Sequence, residues 1–313
     1  MHVFSDPRQF PRDDRPVSLA LGMFDGVHVG HQELIGRMIQ AARQGNARGV
    51  VATFKEHPKT VVAPDRVPPA LQTLEQRLRC LEQLGADGVW LIPFDAAFSR
   101  QSGEEFVHGL KERFGALRSL HVGSRFTFGH RRSGNVALLQ QLGQELGFDV
   151  DPVAPVRWDG DVVSSTRIRG LIQAGEFSAA ARLLGRPWTL VGPVEKGEQI
   201  GRRLGVPTAN VRAAGMVLPP NGVYAAWARL PDRRVAAAVN VGRRPTVTGE
   251  TAPLRVEAHL LDLELDLYGR NLELEFVRRL RPEQRFPSLD ALAEQIRLDL
   301  EATRQALALP NTD

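Results

Sequence analysis

The stretch GMFDGVHVGH, residues 22–31, decides the fold of the first half of this chain. It follows an apolar run at residues 17–23 that predicts a buried strand, and it leads into a helical pattern at residues 32–43. A strand that turns directly into a helix is typical of a parallel sheet covered by helices on both faces. Such sheets bind ligands at the carboxyl ends of their strands, so this turn is a candidate ligand site.

The rest of the first half repeats the alternation of strand and helix. Predicted strands lie at residues 50–54, 89–94 and 120–122, and predicted helices at residues 74–84, 104–114 and 136–146. We therefore expect an α/β fold built on a Rossmann-like parallel sheet.

The pattern changes after a helical stretch at residues 168–184. Short strand patterns, separated by Gly and Pro, follow at residues 188–194, 223–230, 235–241, 254–261 and 272–278. No helical pattern lies between them, which predicts an antiparallel barrel or sandwich. An amphipathic C-terminal helix is expected after it. We place the boundary near residues 185–187, which gives predicted domains at 1–185 and 186–313.

Composition excludes several classes of protein. The chain has 313 residues, a formal charge of +4 and one cysteine, Cys80, so an intrachain disulfide is impossible and a reducing cytoplasm is expected. We find no signal-peptide pattern and no apolar run of membrane-spanning length, so no membrane partner is expected. The arginines are spread along the chain, which argues against nucleic acid. We expect a monomer or a weak homo-oligomer.

Two histidines mark the first candidate site. His28 and His31 are three residues apart, with Gly30 between them, at the predicted start of a helix. Free backbone N–H groups and the helix dipole make that position suitable for a phosphate. Gly30 would let the backbone approach a nucleotide closely. Zinc is the alternative ligand, but it needs a third protein ligand.

A second anion site is predicted at SSTRIR, residues 164–169, which opens another helix. Ser165 or Thr166 is expected at the N-cap, with Arg167 close to the free N–H groups. An ordinary capped helix with surface arginines is the alternative.

The second half carries its own candidates. In VPTAN, residues 206–210, Thr208 and Asn210 point to the same side of an extended segment, and two neutral oxygens there suit Mg²⁺. Three glycines precede them and would let backbone N–H groups approach phosphates: Gly197, Gly201 and Gly205. Glu257 shares one strand face with Arg255 and His259. A plain turn and a solvent-facing strand are the alternatives.

Taken in order, these motifs resemble a known family. The strand, HxGH turn and helix resemble the nucleotidyltransferase superfamily. More narrowly, the whole series resembles bacterial bifunctional riboflavin kinase/FAD synthetases: GMFDGVHVGH, TFKEHP (residues 53–58), VGSRFTFG (122–129), SSTRIR, LLGRPW (183–188), PTAN, NGVYA (221–225), NVGRRPT (240–246), VEAHLLD (256–262), DLYG (266–269) and LRPEQRF (280–286).

The resemblance implies two reactions that both use ATP. The N-terminal nucleotidyltransferase domain would convert FMN to FAD and release pyrophosphate. A six-stranded C-terminal barrel would convert riboflavin to FMN and release ADP. Mg²⁺ is the implied cofactor.

The resemblance also implies roles for individual residues. In the first reaction, His28 and His31 would stabilise the transferring group and hold the ATP phosphates, and His57 would contact nucleotide or flavin. The remaining nucleotide contacts would be Gly22, Phe24, Asp25, Gly30, Ser164, Ser165, Thr166 and Arg167. In the second reaction, Glu257 would act as the base and Thr208 and Asn210 as the Mg–ATP ligands.

One position departs from the family pattern. Arg125 stands where the family usually has Asp or Asn, so its contact is either lost or replaced by a phosphate contact. Two other functions stay open at this stage. One is a different HxGH adenylyltransferase, acting for instance on a nicotinamide or pantetheine phosphate. The other is a flavin-sensing or nucleic-acid-binding regulator built on the same domains.

Overall fold

A computed structural model describes residues 1–10, 13–197, 205–242, 254–263 and 265–308. The chain packs into two compact units. The first unit contains Met1–Pro68 and Leu74–Ser165, and the second contains Pro69–Thr73 and Thr166–Asp313. The predicted boundary near residues 185–187, placed where the strand and helix pattern changes, stays a prediction.

The first unit is a six-stranded parallel sheet, as the alternating pattern predicts. Its order is β1-β4-β3-β2-β5-β8. The strands are β1 His2–Phe4, β2 Val17–Leu21, β3 Arg48–Phe54, β4 Gly88–Ile92, β5 Leu117–Gly123 and β8 Asp149–Val153. Two short hairpins accompany them, β6 Thr127–Phe128 with β7 Gly134–Asn135, and β9 Arg157–Trp158 with β10 Asp161–Val162.

Helices cover both faces of this sheet. On one face lie α1 Val29–Gln44 and α3 Leu74–Gln83, and on the other lie α4 Gly103–Phe114 and α5 Val136–Leu146. The short helix α2 Lys59–Val62 has no buried residue. Every residue of β2 is buried, and its side chains alternate between two apolar clusters. Leu19 packs in the cluster that includes α4 and α5, and Ala20 in the cluster that includes α1. This two-sided burial explains why β2 appears as an unbroken apolar run.

The order of the strands locates the binding crevice. From β2 the chain continues through β3 to β4 on one side, and then returns to place β5 and β8 on the other side. The strand order therefore reverses between β2 and β5, and open α/β sheets bind ligands at such a reversal. The loop with the two histidines follows β2, and the loop with Arg125 follows β5.

The second unit is a closed antiparallel barrel of six strands, so the barrel prediction is confirmed over the sandwich. Its order is β11-β12-β15-β14-β13-β16. The strands are β11 Thr189–Glu195, β12 Ala209–Val211, β13 Gly222–Arg229, β14 Arg234–Gly242, β15 Arg255–Leu260 and β16 Asn271–Arg281. The helices are α6 Ser165–Ala174, α7 Phe177–Leu184 and α8 Leu289–Ala308.

An aromatic cluster joins α7 to the barrel. The ring of Phe177 lies 6.1 Å from Trp188, 5.8 Å from Tyr224 and 5.5 Å from Phe276, measured between centroids. All four residues are buried. Such contacts add to the free energy gained from apolar burial.

A segment from the first half of the chain also packs within the second unit. We call Pro69–Thr73 the strap. Ala70 forms two backbone hydrogen bonds, with Gly215 at 2.8 Å and Val217 at 2.9 Å. The indole N–H of Trp188 donates to the Leu71 carbonyl at 3.0 Å. The second unit is therefore not contiguous in sequence.

Several boundaries differ from the sequence prediction. The helical stretch at 168–184 is two helices, because Gly175 adopts a left-handed φ of 82° between them. β1 and β8 were not predicted, and β12 was expected only as an extended segment. Among the helices that the structure describes, none is long and apolar enough to cross a membrane.

Candidate active sites

The two histidines of the first unit lie together at the start of α1. His28 is the N-cap residue, and its ring Nδ1 accepts a hydrogen bond from the His31 backbone N–H at 3.3 Å. The two imidazole rings stack with centroids 3.5 Å apart. Both rings therefore lie together at the N-terminus of α1, and their contact with a phosphate stays a prediction. Because Nδ1 of His28 is an acceptor, neutral His28 carries its proton on Nε2 and can donate from there.

The surroundings of His31 keep its ring neutral. Burial, together with the neighbouring His28, holds the pKa of His31 well below its usual value. The ring also contacts Phe24 edge to face, with centroids 5.2 Å apart. Its Nδ1 atom is buried, and no described residue forms a hydrogen bond with it. Unpartnered buried polar atoms are uncommon in folded proteins, and a catalytic role is one recognised reason for them.

The turn before α1 has a strained backbone. Phe24, Gly26 and Val27 have φ values of 48°, 85° and 38°, and two of the three are not glycine. Left-handed backbone at such residues costs on the order of 1–3 kcal/mol each and persists where the surroundings hold it in place. Phe24 and Val27 are buried, which supplies that restraint.

SSTRIR contributes directly to this turn. Ser165 donates from Oγ to the Asp25 carbonyl at 2.8 Å. Helix α6 begins at Ser165, so the N-cap expected at Ser165 or Thr166 is wrong by at least one residue: Ser164 precedes the helix. Ser165 instead anchors the histidine loop. Thr166 and Arg167 pack as part of the second unit, and their predicted phosphate contacts stay predictions.

The other candidates of the first unit lie on neighbouring loops. His57 follows β3 and its ring Nδ1 accepts from the Lys59 backbone N–H at 3.1 Å. Arg125 is exposed in the turn between β5 and β6. Gly22 and Gly30 flank the strained turn: a Cβ on Gly22 would lie 3.0 Å from the Phe24 ring, and one on Gly30 would lie 3.2 Å from the His28 ring.

Sequence analysis missed an aromatic chain at the same edge of the sheet. Neighbouring rings lie 5.5–5.9 Å apart between centroids. The chain consists of Phe54, Phe94, Phe98, Phe106, Phe128 and Phe126. Most of these rings are partly exposed to solvent rather than fully buried in the core. The signal in the sequence was a phenylalanine at or just after the end of three successive strands.

The second site is a row of polar residues across the barrel. Asn210 on β12 and Asn240 on β14 both pair with Glu257 on β15, one from each side. Paired residues on neighbouring strands bring their side chains within about 5.5 Å of one another. Glu257 is half-buried, between the interior residues Val256 and Ala258. The carboxylate therefore lies between two amides on the outer face of the barrel.

The glycines and the PTAN motif meet at one end of this row. A Cβ on Gly197 would collide with the amide of Asn210, so only glycine allows this close approach. Gly205 has a left-handed φ of 75° just before the motif. Gly201, and the last four residues of NVGRRPT, lie outside the described residues.

His259 is a second contributor that sequence analysis did not assign. Its Nδ1 donates to the Pro207 carbonyl at 2.8 Å, which fixes that tautomer. His259 lies on the same strand face as Glu257 and thus connects β15 to the segment that carries Thr208. The sequence placed His259 on this face but could not show its partner.

The donor types at both sites bear on metal binding. Within the described ranges, no group of three or more His, Cys, Asp or Glu side chains could hold a metal ion. Among the residues that the structure describes, the histidine pair therefore has no third His, Cys, Asp or Glu ligand of the kind that zinc requires. That finding concerns only His, Cys, Asp and Glu side chains, so it does not bear on the neutral oxygen donors of Thr208 and Asn210.

Comparison with protein families also divides the chain into two parts. An FAD synthetase family model matches residues 10–167, and a riboflavin kinase family model matches residues 184–307. The histidine loop lies in the first match and the Glu257 row in the second.

Individual relatives are similar along nearly the whole chain. The bifunctional riboflavin kinase/FMN adenylyltransferase of Escherichia coli K12 is 37% identical over 292 residues, 93% of each chain. The Pseudomonas fluorescens enzyme of the same name is 37% identical, again over 93% of each chain. The Haemophilus influenzae enzyme is 35% identical over 92% of this chain and 93% of its own.

A solved structure shares the complete architecture. It is described as a macrolide-efflux protein from Streptococcus pneumoniae, and it is 30% identical to this chain. The match covers 96% of this chain and 98% of that one, with a TM-score of 0.83.

Proposed function

This chain belongs to the family of bifunctional riboflavin kinase/FMN adenylyltransferases, and from that premise we propose which of its residues perform each reaction. The chain phosphorylates riboflavin to FMN and adenylylates FMN to FAD, with ATP as co-substrate in both steps. We assign adenylyl transfer to the loop with His28 and His31, and riboflavin phosphorylation to the row around Glu257. The observation that carries this division is that the two sets lie in two separately packed units.

In adenylyl transfer, a phosphate oxygen of FMN attacks the α-phosphorus of ATP and pyrophosphate leaves. The attacking phosphate is already ionised near neutral pH, so the reaction needs no strong base. It does need positioning and stabilisation of the developing negative charge. His28 lies at the N-cap of α1, where free backbone N–H groups and the helix dipole favour a phosphate. The low pKa of His31 keeps it a neutral hydrogen-bonding group.

We propose that the aromatic chain of the first unit supports the flavin ring. It extends from Phe54, at the end of β3, to Phe126 and Phe128, just after β5. Phe126 and Phe128 stack with their planes 15° apart. Flat, partly exposed aromatic faces suit a planar ring system such as isoalloxazine. Arg125, exposed beside Phe126, is proposed to contact a phosphate.

In riboflavin phosphorylation, the terminal ribityl hydroxyl attacks the γ-phosphorus of ATP and ADP leaves. An alcohol must lose its proton, and a carboxylate within hydrogen-bond reach can accept it. Glu257 is the carboxylate at the centre of the row, and the amides of Asn210 and Asn240 beside it can orient substrate hydroxyls. His259 holds the PTAN segment in register with Glu257.

We propose Mg²⁺ as the cofactor of the kinase site. Thr208 and Asn210 supply two neutral oxygens, and Mg²⁺ keeps most of its remaining ligands as waters and phosphate oxygens. The Gly197 backbone lies close to the Asn210 amide, where a Cβ would not fit. We propose that this uncovered backbone lets ATP phosphates approach the metal ligands. Bound there, the cation would neutralise the phosphate charge.

The assignment is tested by two variants with matched controls. His28→Ala with His31→Ala should lower FAD formation from FMN by about a hundredfold or more, with FMN formation unchanged. The control is His108→Ala, an exposed residue on α4. Glu257→Gln keeps size and most hydrogen bonding, so it should lower the kcat of FMN formation by roughly a hundred- to ten-thousandfold. Its control is Arg255→Gln on the same strand. Normal FAD formation in the double variant would refute the first assignment.

Location and assembly are two further proposals. The lone cysteine, Cys80, favours a reducing compartment, for which we propose the cytoplasm. We propose a monomer or a weak homo-oligomer. Macrolide efflux is the description of the streptococcal protein, whereas both family matches of this chain name flavin reactions.

A further inference from the structure

Arg77 lies beneath the two loops that carry His28 and His57, and no role has yet been assigned to it. Its side chain projects from α3 and the residue is only 8% exposed. Its Nη1 donates to the Met23 carbonyl at 3.0 Å, and its Nη2 donates to the Lys55 carbonyl at 3.1 Å. The Met23 carbonyl also accepts from Thr53 Oγ1 at 3.0 Å. One guanidinium therefore bonds to both loops that carry candidate histidines.

The two carbonyls mark the points where these loops leave the sheet. Met23 immediately precedes the strained turn that leads to His28. Lys55 follows the last residue of β3 and precedes His57 by two positions. A guanidinium is planar and presents its N–H groups in a fixed fork, so two simultaneous bonds fix the spacing of the two loops.

The charge of Arg77 also requires an explanation. Burial lowers its pKa, while the charge of Asp25 opposes that shift. Within the described part of the chain, no carboxylate lies within ion-pair distance of Arg77. Burying an arginine without an ion-pair partner is unfavourable, and an apolar side chain would fill the same space at lower cost. A residue with this cost is best explained by a use of its charge and its geometry.

We propose that Arg77 is a positioning residue for adenylyl transfer, which fixes the His28 loop against the His57 loop and places a permanent positive charge beneath the phosphates of ATP. This inference rests on the proposed assignment of the histidine loop. Displacing a reacting group by about 1 Å can cost on the order of a hundredfold in rate, so the effect should be seen mainly in kcat.

The experiment compares Arg77→Lys and Arg77→Met in the full chain. Lysine keeps the charge but cannot span both carbonyls, so Arg77→Lys should lower the kcat of FAD formation by about a hundredfold and leave the KM for ATP near the parent's value. Arg77→Met should lower kcat similarly and also raise that KM. Riboflavin phosphorylation, measured in the same preparations, should be unchanged.

A matched control separates positioning from stability. Leu81 is fully buried on the same helix and forms part of the apolar cluster under α1. Leu81→Ala should lower the unfolding temperature at least as much as Arg77→Lys, yet keep the kcat of FAD formation within about twofold. If Arg77→Met fails to fold, the Arg77→Lys kinetics decide.

Two results would overturn the inference. One is a parental kcat in Arg77→Lys while His28→Ala is inactive, which leaves the histidine assignment standing. The other is a loss of activity in Arg77→Lys that Leu81→Ala reproduces at equal loss of stability. If Arg77→Lys and His28→Ala both form FAD at the parental rate, the proposed adenylyl-transfer site itself is wrong.

Discussion

Removing residues 1–185 should unfold the barrel unit, whereas removing residues 1–163 should leave it folded. The shorter fragment loses α7, and with it Phe177, which contacts three aromatic rings of the barrel. Deleting a buried phenylalanine side chain costs about 3–5 kcal/mol. Leu183 and Leu184 on the same helix are also buried and add roughly 1.5–3 kcal/mol each. The sum reaches the whole stability of an ordinary domain, about 5–15 kcal/mol.

The strap adds a smaller contribution to the same unit. Both fragments lack it, and each of its hydrogen bonds contributes about 0.5–1.5 kcal/mol. The fragment that begins at residue 164 should therefore be a few kcal/mol less stable than the intact unit, but still cooperative.

Urea unfolding, followed by the fluorescence of Trp188 and Trp227, measures the stability of each fragment. Riboflavin phosphorylation by each fragment measures whether the folded molecules keep kinase activity. The full-length variant Phe177→Ala isolates the aromatic contribution without truncation. Equal midpoints for the two fragments would show that α7 does not stabilise the barrel, and the energetic argument would have to be abandoned.

Three further predictions concern single residues. Arg125→Ala should weaken substrate binding in FAD synthesis by less than about tenfold, the scale of one exposed charge contact, and a strong gain of activity in Arg125→Asn would contradict its phosphate role. His259→Phe should raise the KM for ATP in the kinase reaction and leave FAD synthesis from supplied FMN unchanged, because only the Pro207 contact is lost. Burial holds the pKa of His31 below its usual 6.5, so the unfolded chain protonates first as the pH falls. Stability should therefore be complete above that value and fall below it by up to about 1.4 kcal/mol per pH unit, and His31→Gln should reduce this slope in urea titrations.

The main elements could be predicted because their signals are local. β2 is buried on both faces and appears as an apolar run, and the HxGH turn after it lies at a helix N-terminus. Helix α5 begins and ends where its amphipathic pattern and Gly147 indicate. Glu257 could be placed on a strand face by its period of two.

The remaining features depend on distant parts of the chain. β1 is three residues long at the sheet edge, too short to give a pattern. The strap packs with residues more than a hundred positions away, so nothing in its own sequence indicates it. Arg77 lies in a helical pattern as an ordinary polar residue, and its role depends on the carbonyls above it. The contact of His259 with the Pro207 carbonyl likewise depends on the barrel, which brings two segments distant in sequence together.

Mixing two full-length variants, each deficient in one reaction, tests the central claim that one chain carries two independent sites. Full-length Glu257→Gln should form only traces of FMN or FAD from riboflavin, and the full-length His28→Ala, His31→Ala variant should stop largely at FMN. When the two proteins are combined with riboflavin, ATP and Mg²⁺, FMN made by one should be converted by the other, and FAD should appear. If each variant is folded and the mixture still forms no FAD, the two reactions share a site and the two-unit account is wrong.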